Sequence, residues 1–206
     1  CRTAPMPGVA VGVVAGDATV LSVAAGTADL ATGQPVAMDT WWDLASLTKM
    51  LVTLPEVLDL IDAGTLNLDR ALGEQWDPVA DRPIGEATLR QVLSYDAGMP
   101  ASGDYFCQAD GDVLRQLVLS TPSERLPGSG AVYSDVGAMV SGFLVSDLVG
   151  PLDQLAARRT GFRFGVPPAM AAATEECRWR ERMIRGEVHD ENASALGGVA
   201  GHAGAF

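Results

Sequence analysis

Apolar side chains recur at helical spacing early in the chain. Leu47, Leu51, Leu54, Leu58 and Ile61 stand three or four residues apart and so share one face. The pattern predicts an amphipathic helix that starts near Ser46, after an apolar lead-in with Trp41 and Trp42. Pro55 removes one backbone donor, so a kink or a junction of two helices is expected there, and Gly64 offers a C-terminal stop. Upstream, residues 9–14 and 19–25 are short valine-rich runs around Gly16 and Asp17, which predicts a β-hairpin. A hairpin this apolar needs further strands beside it or a helix across its face. The helix from Ser46 is the expected cover.

Further along, helical period dominates. Thr88 followed three residues later by Gln91 is a capping-box pattern, opening a short helix through Val92 and Leu93. A second short helix is expected over 112–119, after a loop carrying Tyr105, Phe106 and Cys107. The loop 123–130 delivers the chain to Tyr133, Ser134 and Asp135. Val136, Met139, Val140, Phe143, Leu144 and Leu148 then repeat with helical period until Gly150 and Pro151 break the helix and open the next. Beyond Phe164 the pattern weakens. A helix is expected over 175–183, and residues 192–206 are small and glycine-rich. They follow no strand, so they are not read as a phosphate-binding loop. The chain divides into 1–61, hairpin and Ser46 helix; 62–165, a mostly helical lobe without a clear strand; and 166–206, a return segment.

Two hundred and six residues with 48 % apolar side chains can bury a sizeable core and exclude a mainly disordered chain. The formal charge of −12 leaves no basic stripe to neutralise phosphates, which argues against nucleic acid as a partner. The densest arginine group, Arg178, Arg180, Arg182 and Arg185, is interleaved with Glu175, Glu176, Glu181 and Glu187 and reads as a solvated, salt-linked face. Cys1, Cys107 and Cys177 leave room for one disulfide but form no metal-binding spacing. No run approaches eighteen apolar residues, so no membrane span is expected. No signal segment is visible at Cys1, and both a cytoplasmic and an exported location stay open.

The candidate chemistry sits at the start of the first long helix. Lys49 is the one lysine among 14 basic side chains of the Lys and Arg type, and it lies one helical turn from Ser46. Serine is a poor nucleophile until something takes its proton. A lysine amine buried among Trp41, Trp42 and nearby apolar groups can do so, whereas a guanidinium cannot. A tyrosine reaching the same hydroxyl could share the proton, and Tyr133, in a loop before a buried helix, is the best placed; Tyr95 and Tyr105 are the other two. Ser134 and Asp135 can cap the following helix, or orient a polar group in a cleft. The backbone N–H of Ser46 is a natural oxyanion donor; a second donor is not visible. His189 and His202 are open to a serine triad with Asp190 or Asp135, to a two-histidine metal site with Asp190 or Glu187, or to ordinary loop hydrogen bonds, the last favoured.

Ser46, Leu47, Thr48 and Lys49, introduced by Asp43, Leu44 and Ala45, together with Tyr133, Ser134 and Asp135, resemble the motifs of the serine beta-lactamase and penicillin-binding protein superfamily. The likeness is to its class C-like branch of beta-lactamases, DD-peptidases and esterases. The 87 residues between Ser46 and Tyr133 suit that branch. Pro7 and Gly8, residues 58–68, residues 88–99 and residues 186–206 are similar as well, so the likeness runs along nearly the whole chain. The resemblance implies an α+β fold, an antiparallel sheet flanked by helices with a mostly helical lobe beside it. It also implies an acyl-enzyme mechanism in which Ser46 attacks a carbonyl while Lys49 and Tyr133 manage its proton. The implied substrate is a small ester, peptide or beta-lactam, the ester or peptide favoured by the Tyr-Ser-Asp triplet, and no cofactor or metal is implied.

Departures from the family pattern shape the remaining expectations. The third motif, Lys-Thr-Gly or His-x-Gly on a strand facing the nucleophile, is not matched. Gly201, His202, Ala203 and Gly204 contain a His-x-Gly, but their flanks match an earlier family segment. The strands and helix that follow in the family are missing, and Tyr95 and Asp96 replace the commoner histidine and threonine. The chain is therefore expected to be an N-terminal part of the hydrolase, completed by a C-terminal segment or by a second chain. The competing expectation is a non-catalytic binding or structural protein on the same fold.

Overall fold

The computed structural model describes residues 6–206, so Cys1 lies outside the described residues. Gly16, in the left-handed region at φ +59°, turns the chain between β1 (Gly8–Ala15) and β2 (Ala18–Asp29). The two strands pair antiparallel from Gly8 opposite Gly26 to Ala15 opposite Ala18, with a register shift after Val13. A short β3 (Gln34–Pro35) pairs with the far end of β2, so the order is β1-β2-β3. Among the described residues only that end is sealed, by Ala28, Val36 and Ala172 with Trp42 against them. Val11, Val13, Val14, Val20, Leu21 and Val23 stay exposed, and the expected cover by the Ser46 helix is not made.

The helix turns its other face inward. Leu47, Leu51 and Leu58 are 54, 37 and 46 % exposed, while Thr48, Lys49, Val52, Thr53, Glu56, Val57 and Leu60 are buried. Hydrogen bonds to polar side chains set this orientation. Thr53 Oγ1 donates to the carbonyl of Gly201 at 2.7 Å, and Thr48 Oγ1 accepts from the backbone N–H of Ala205 at 3.1 Å. Pro55 is absorbed by a π-helical turn over Lys49–Thr53, in which Leu54 N–H donates to Lys49 O five residues back; α1 (Leu54–Asp62) follows with the proline in its first turn, where no donor is needed.

The largest core is built by helices. In α2 (Leu89–Leu93), Thr88 Oγ1 accepts from Gln91 N–H and the Gln91 side chain accepts from Thr88 N–H, as the capping box predicts. After α3 (Gly111–Leu119) comes α4 (Asp135–Leu148), capped by Ser134 and buried continuously from Val136 to Val145. Pro151 precedes α5 (Leu152–Arg159). Val57, Leu72, Ile84, Leu89, Leu114, Met139, Leu144 and Leu152 fill the space between them. Each fully buried side chain of this size contributes about 1.5–3 kcal/mol.

The helix expected over 175–183 is replaced by an antiparallel pair, β4 (Ala173–Cys177) and β5 (Arg182–Arg185). Glu181, at φ +51°, sits in the left-handed region, which a helix does not accommodate. Arg185 fastens the hairpin by donating to Asp29 at 3.0 Å and to the Ala171 carbonyl at 2.8 Å. The arginine cluster is thus only partly a solvated face: Arg182 pairs with Glu187 outside, whereas Arg180 and Arg185 are anchored to buried carbonyls and carboxylate. A last short helix, α6 (Glu191–Ala195), is capped by Asp190. The architecture is α+β, with antiparallel sheets flanked by helices. No single helix among the described residues is long and apolar enough to cross a membrane.

Candidate active site

Ser46 stands at a backbone turn that Ala45 enters at φ +49°, a left-handed conformation that costs a non-glycine residue of order 1–2 kcal/mol. The turn is held from both sides. Asp43 Oδ1 accepts from Ala45 N–H at 2.8 Å, and Leu44 N–H donates to the Ala205 carbonyl at 2.9 Å. The backbone N–H of Ser46 has no hydrogen-bond partner among the described residues, so this donor is available to an oxyanion.

Lys49 is 6 % exposed, and its amine is surrounded by acceptors. Nζ lies 2.9 Å from Ser46 Oγ, 3.0 Å from the carbonyl of His202 and 2.7 Å from Asp135 Oδ1. The Asp135 contact is close enough for an ion pair, although its angle is not that of an aligned hydrogen bond. Of the sequence candidates, Ser46, Lys49 and Asp135 therefore meet. Ser134 does not join them: buried, it accepts from Gly137 N–H and donates to the Pro100 carbonyl, which is the capping role.

Tyr133 reaches the site with its ring. Its face lies 5.0 Å from Lys49 Nζ, a cation–π distance, and no hydrogen bond ties its hydroxyl to Ser46 or Lys49. Ser46, Leu47, Lys49, Met50, Tyr95 and Tyr133 line one open, mostly apolar pocket. Tyr95, less well placed than Tyr133 by its position in the sequence, lines the same pocket. It follows α2 at φ +62°, packs its ring 5.0 Å from that of Tyr133, and accepts at its carbonyl from Val132 N–H, fixing the loop that carries Tyr133. Burial and the neighbouring Tyr133 push its phenol above the usual range.

The glycine-rich segment forms the floor. Gly201 lies against α4 so closely that a Cβ there would stand 2.4 Å from the Ala138 carbonyl oxygen and 2.6 Å from Gly142 Cα. That approach brings the His202 carbonyl to Lys49. The His202 ring is buried and its Nε2 lies 2.9 Å from Asp190 Oδ1, while His189 Nδ1 lies 2.8 Å from Asp43 Oδ2. Neither ring hydrogen-bonds Ser46, so the histidines form no triad with it. Elsewhere, Glu175, Cys177 and Glu191 bring potential ligand atoms within 4.8 Å of one another. Arg180 Nε, 3.4 Å from Cys177 Sγ, already supplies positive charge there; burial opposes it, but this contact holds the thiol below its ordinary range.

An α+β fold with a serine and a buried lysine one turn apart at the head of a helix fits the beta-lactamase and DD-peptidase superfamily. The family model described as Beta-lactamase matches residues 2–205, and the chain belongs to that family. A relative from Escherichia coli strain K12, named "Putative D-alanyl-D-alanine carboxypeptidase", is 34 % identical over 215 residues, covering 84 % of this chain and 49 % of its own. Its namesake from Salmonella newport strain SL254 is 31 % identical over 208 residues, covering 82 and 48 %. The chain thus spans about half the length of the curated relatives it matches. Among solved structures, D-alanine carboxypeptidase AmpC from Burkholderia cenocepacia superposes with a TM-score of 0.71 at 23 % identity, covering 97 % of this chain and 55 % of that one. The octameric penicillin-binding protein homologue from Pyrococcus abyssi gives 0.73 at 16 % identity, covering 97 and 49 %. At these identities the structural likeness speaks for the fold.

Proposed function

We propose that this chain carries the nucleophile of a serine hydrolase that works through an acyl-enzyme on an ester or amide, esterase-like or D-peptidase-like, with beta-lactams as the alternative acyl donors. The observation that carries the reading is the 2.9 Å contact between Ser46 Oγ and the buried Lys49 Nζ. Ser46 Oγ attacks the carbonyl carbon and its proton passes to the amine of Lys49. The resulting oxyanion meets the backbone N–H of Ser46. The amine then returns the proton to the departing alcohol or amine, with Tyr133 as the relay once its phenol turns toward Oγ, and water releases the acid by the same steps in reverse order. Asp135 Oδ1, 2.7 Å from Nζ, orients Lys49 and faces the positive charge that the neutral amine gains on taking the Ser46 proton.

The exposed apolar faces of β1 and β2, the outward leucines of the first helix and the half-length match to the relatives support a larger unit in which further strands complete the sheet. Those strands, from a C-terminal continuation or a second chain, would bring the second oxyanion donor. One observation favours a second reading, a binding protein without turnover: the Tyr133 hydroxyl has no hydrogen bond to either Ser46 or Lys49.

The test is covalent labelling of the intact protein with a fluorophosphonate or a penicillin, followed by peptide mapping. An adduct on Ser46 that disappears in Lys49→Ala is expected. No adduct on Ser46 rejects the hydrolase reading in favour of the binding one. Hydrolysis of p-nitrophenyl acetate against that of nitrocefin then separates esterase from lactamase.

A further inference from the structure

Two histidine and aspartate pairs flank the Ser46/Lys49 pair, and they start from consecutive residues. Asp43 has a fully buried side chain whose oxygens accept three hydrogen bonds: Ala45 N–H at Oδ1, and both His189 N–H and His189 Nδ1 at Oδ2, each at 2.8 Å. The first of these holds the left-handed turn into Ser46; the other two come from a residue 146 positions away. Asp190 Oδ1 accepts from the ring of His202, whose other nitrogen has no partner among the described residues, so the buried imidazole is oriented by Asp190 alone. The carbonyl of that same His202 receives Lys49 Nζ.

We propose that His189 and Asp190 are positioning residues of the nucleophile: His189 fixes Asp43 and through it the turn that presents Ser46, while Asp190 fixes His202 and through it the carbonyl that aims Lys49. One dipeptide in the return segment then sets both partners of the proton transfer. The arrangement rests on the hydrolase reading for its consequence, though not for its geometry.

The His189 arm is sensitive to pH. The groups facing the ring are Asp43 from the nucleophile turn, its neighbour Asp190, and Glu175 from β4; Arg180 donates to its backbone carbonyl. The hydrogen bond to Asp43, against the cost of burial, raises the imidazole above its ordinary range, with the three carboxylates adding to the effect. A protonated ring is the counter-charge of the buried Asp43 carboxylate, and that charge is lost as pH rises through the raised pKa.

The experiment is the second-order rate of Ser46 labelling in the intact protein from pH 5.5 to 9, for wild type, His189→Phe, His189→Asn, Asp190→Ala and Asp190→Asn. His189→Phe and Asp190→Ala are each expected to label about tenfold more slowly, the worth of one charged hydrogen bond. Asp190→Asn, which keeps a side-chain partner for His202, recovers most of the rate, whereas His189→Asn restores the hydrogen bond to Asp43 without the charge and recovers the rate only where the wild-type ring is neutral. The ratio of wild-type to His189→Asn rates is expected to be largest at low pH and to fall toward one as the ring deprotonates. Wild-type rates in His189→Phe or Asp190→Ala, or a ratio that does not change with pH, overturn the proposal. If wild type is not labelled, the hydrolase reading has failed, and amide exchange at Ala45 tests the positioning by itself. Faster exchange in His189→Phe, at unchanged melting temperature, supports it; unchanged exchange overturns it.

Discussion

Asp135 Oδ1 and Lys49 Nζ stand 2.7 Å apart, with the lysine 94 % withdrawn from solvent, its exposure being 6 %, and the aspartate side chain 23 % exposed. The pair joins the head of α4 to the turn below Ser46. Deleting the carboxylate takes a facing negative charge from a buried amine that still has Ser46 Oγ and the His202 carbonyl, which costs about 1–3 kcal/mol. Asp135→Ala is expected to lower the melting temperature accordingly, and Asp135→Asn, which keeps an oxygen near the amine, to lower it less. Equal melting temperatures for wild type and Asp135→Ala would show that the contact holds nothing.

Lys49→Arg separates charge from proton transfer. A guanidinium keeps the positive charge but stays protonated at any working pH, so it cannot accept the Ser46 proton. Labelling of Ser46 is expected to fall about 10²- to 10⁴-fold, the usual range for losing a general base. A variant that labels within about threefold of wild type would make Lys49 an electrostatic anchor.

Gly201→Ala tests the floor of the site. The added methyl would meet the Ala138 carbonyl oxygen at 2.4 Å and Gly142 Cα at 2.6 Å, both backbone atoms that cannot step aside. Overpacking of this kind costs about 1–3 kcal/mol. Because the His202 carbonyl follows directly, Ser46 labelling should drop together with stability. Gly12→Ala, with open space around the position, is the matched control and should change neither.

Local patterns in the sequence marked what local chemistry controls. Ser46 and Lys49 stand one helical turn apart, Thr88 and Gln91 cap α2, and the apolar run of α4 reads as a buried helix because each depends on neighbours within a few residues. The leucine stripe of the first helix also repeats with helical period, yet its partner is decided by contacts with residues 201–205, far along the chain. In residues 173–185 charged side chains hide the strand alternation, and the turn depends on a left-handed Glu181 that no propensity marks. The Asp43/His189 and Lys49/His202 contacts join residues 146 and 153 positions apart, and leave no local trace.

Asp190 links stability to acid. Burial alone would raise its pKa, but the hydrogen bond and charge of His202, the Ala193 N–H and the nearby His189 bring it down to about 2 from an ordinary 3.8. A carboxylate with a depressed folded pKa stabilises the fold above the unfolded value and ceases to as pH falls through the folded one. About 2 kcal/mol should therefore be lost between roughly pH 4 and pH 2. Denaturant titrations at pH 6, 4 and 2.5 are expected to show this decline in wild type and a shallower one in Asp190→Asn. Parallel declines would assign the acid sensitivity to other carboxylates.

Tyr133 offers Lys49 a ring face at 5.0 Å, whereas the proposed relay needs its hydroxyl, and two substitutions tell these apart. Tyr133→Phe keeps the aromatic face and its packing on Tyr95 but removes the donor and acceptor oxygen. If the phenol swings in to carry the proton, labelling or turnover should fall about 10²-fold or more in Tyr133→Phe and little further in Tyr133→Ala. If the ring only shields and stabilises the ammonium, Tyr133→Phe should behave as wild type, and Tyr133→Ala should lose the roughly 0.5–2 kcal/mol of a cation–π contact, a several-fold effect. With the residue 49 % exposed at the mouth of the pocket, neither change should disturb folding, so the comparison reads the chemistry directly.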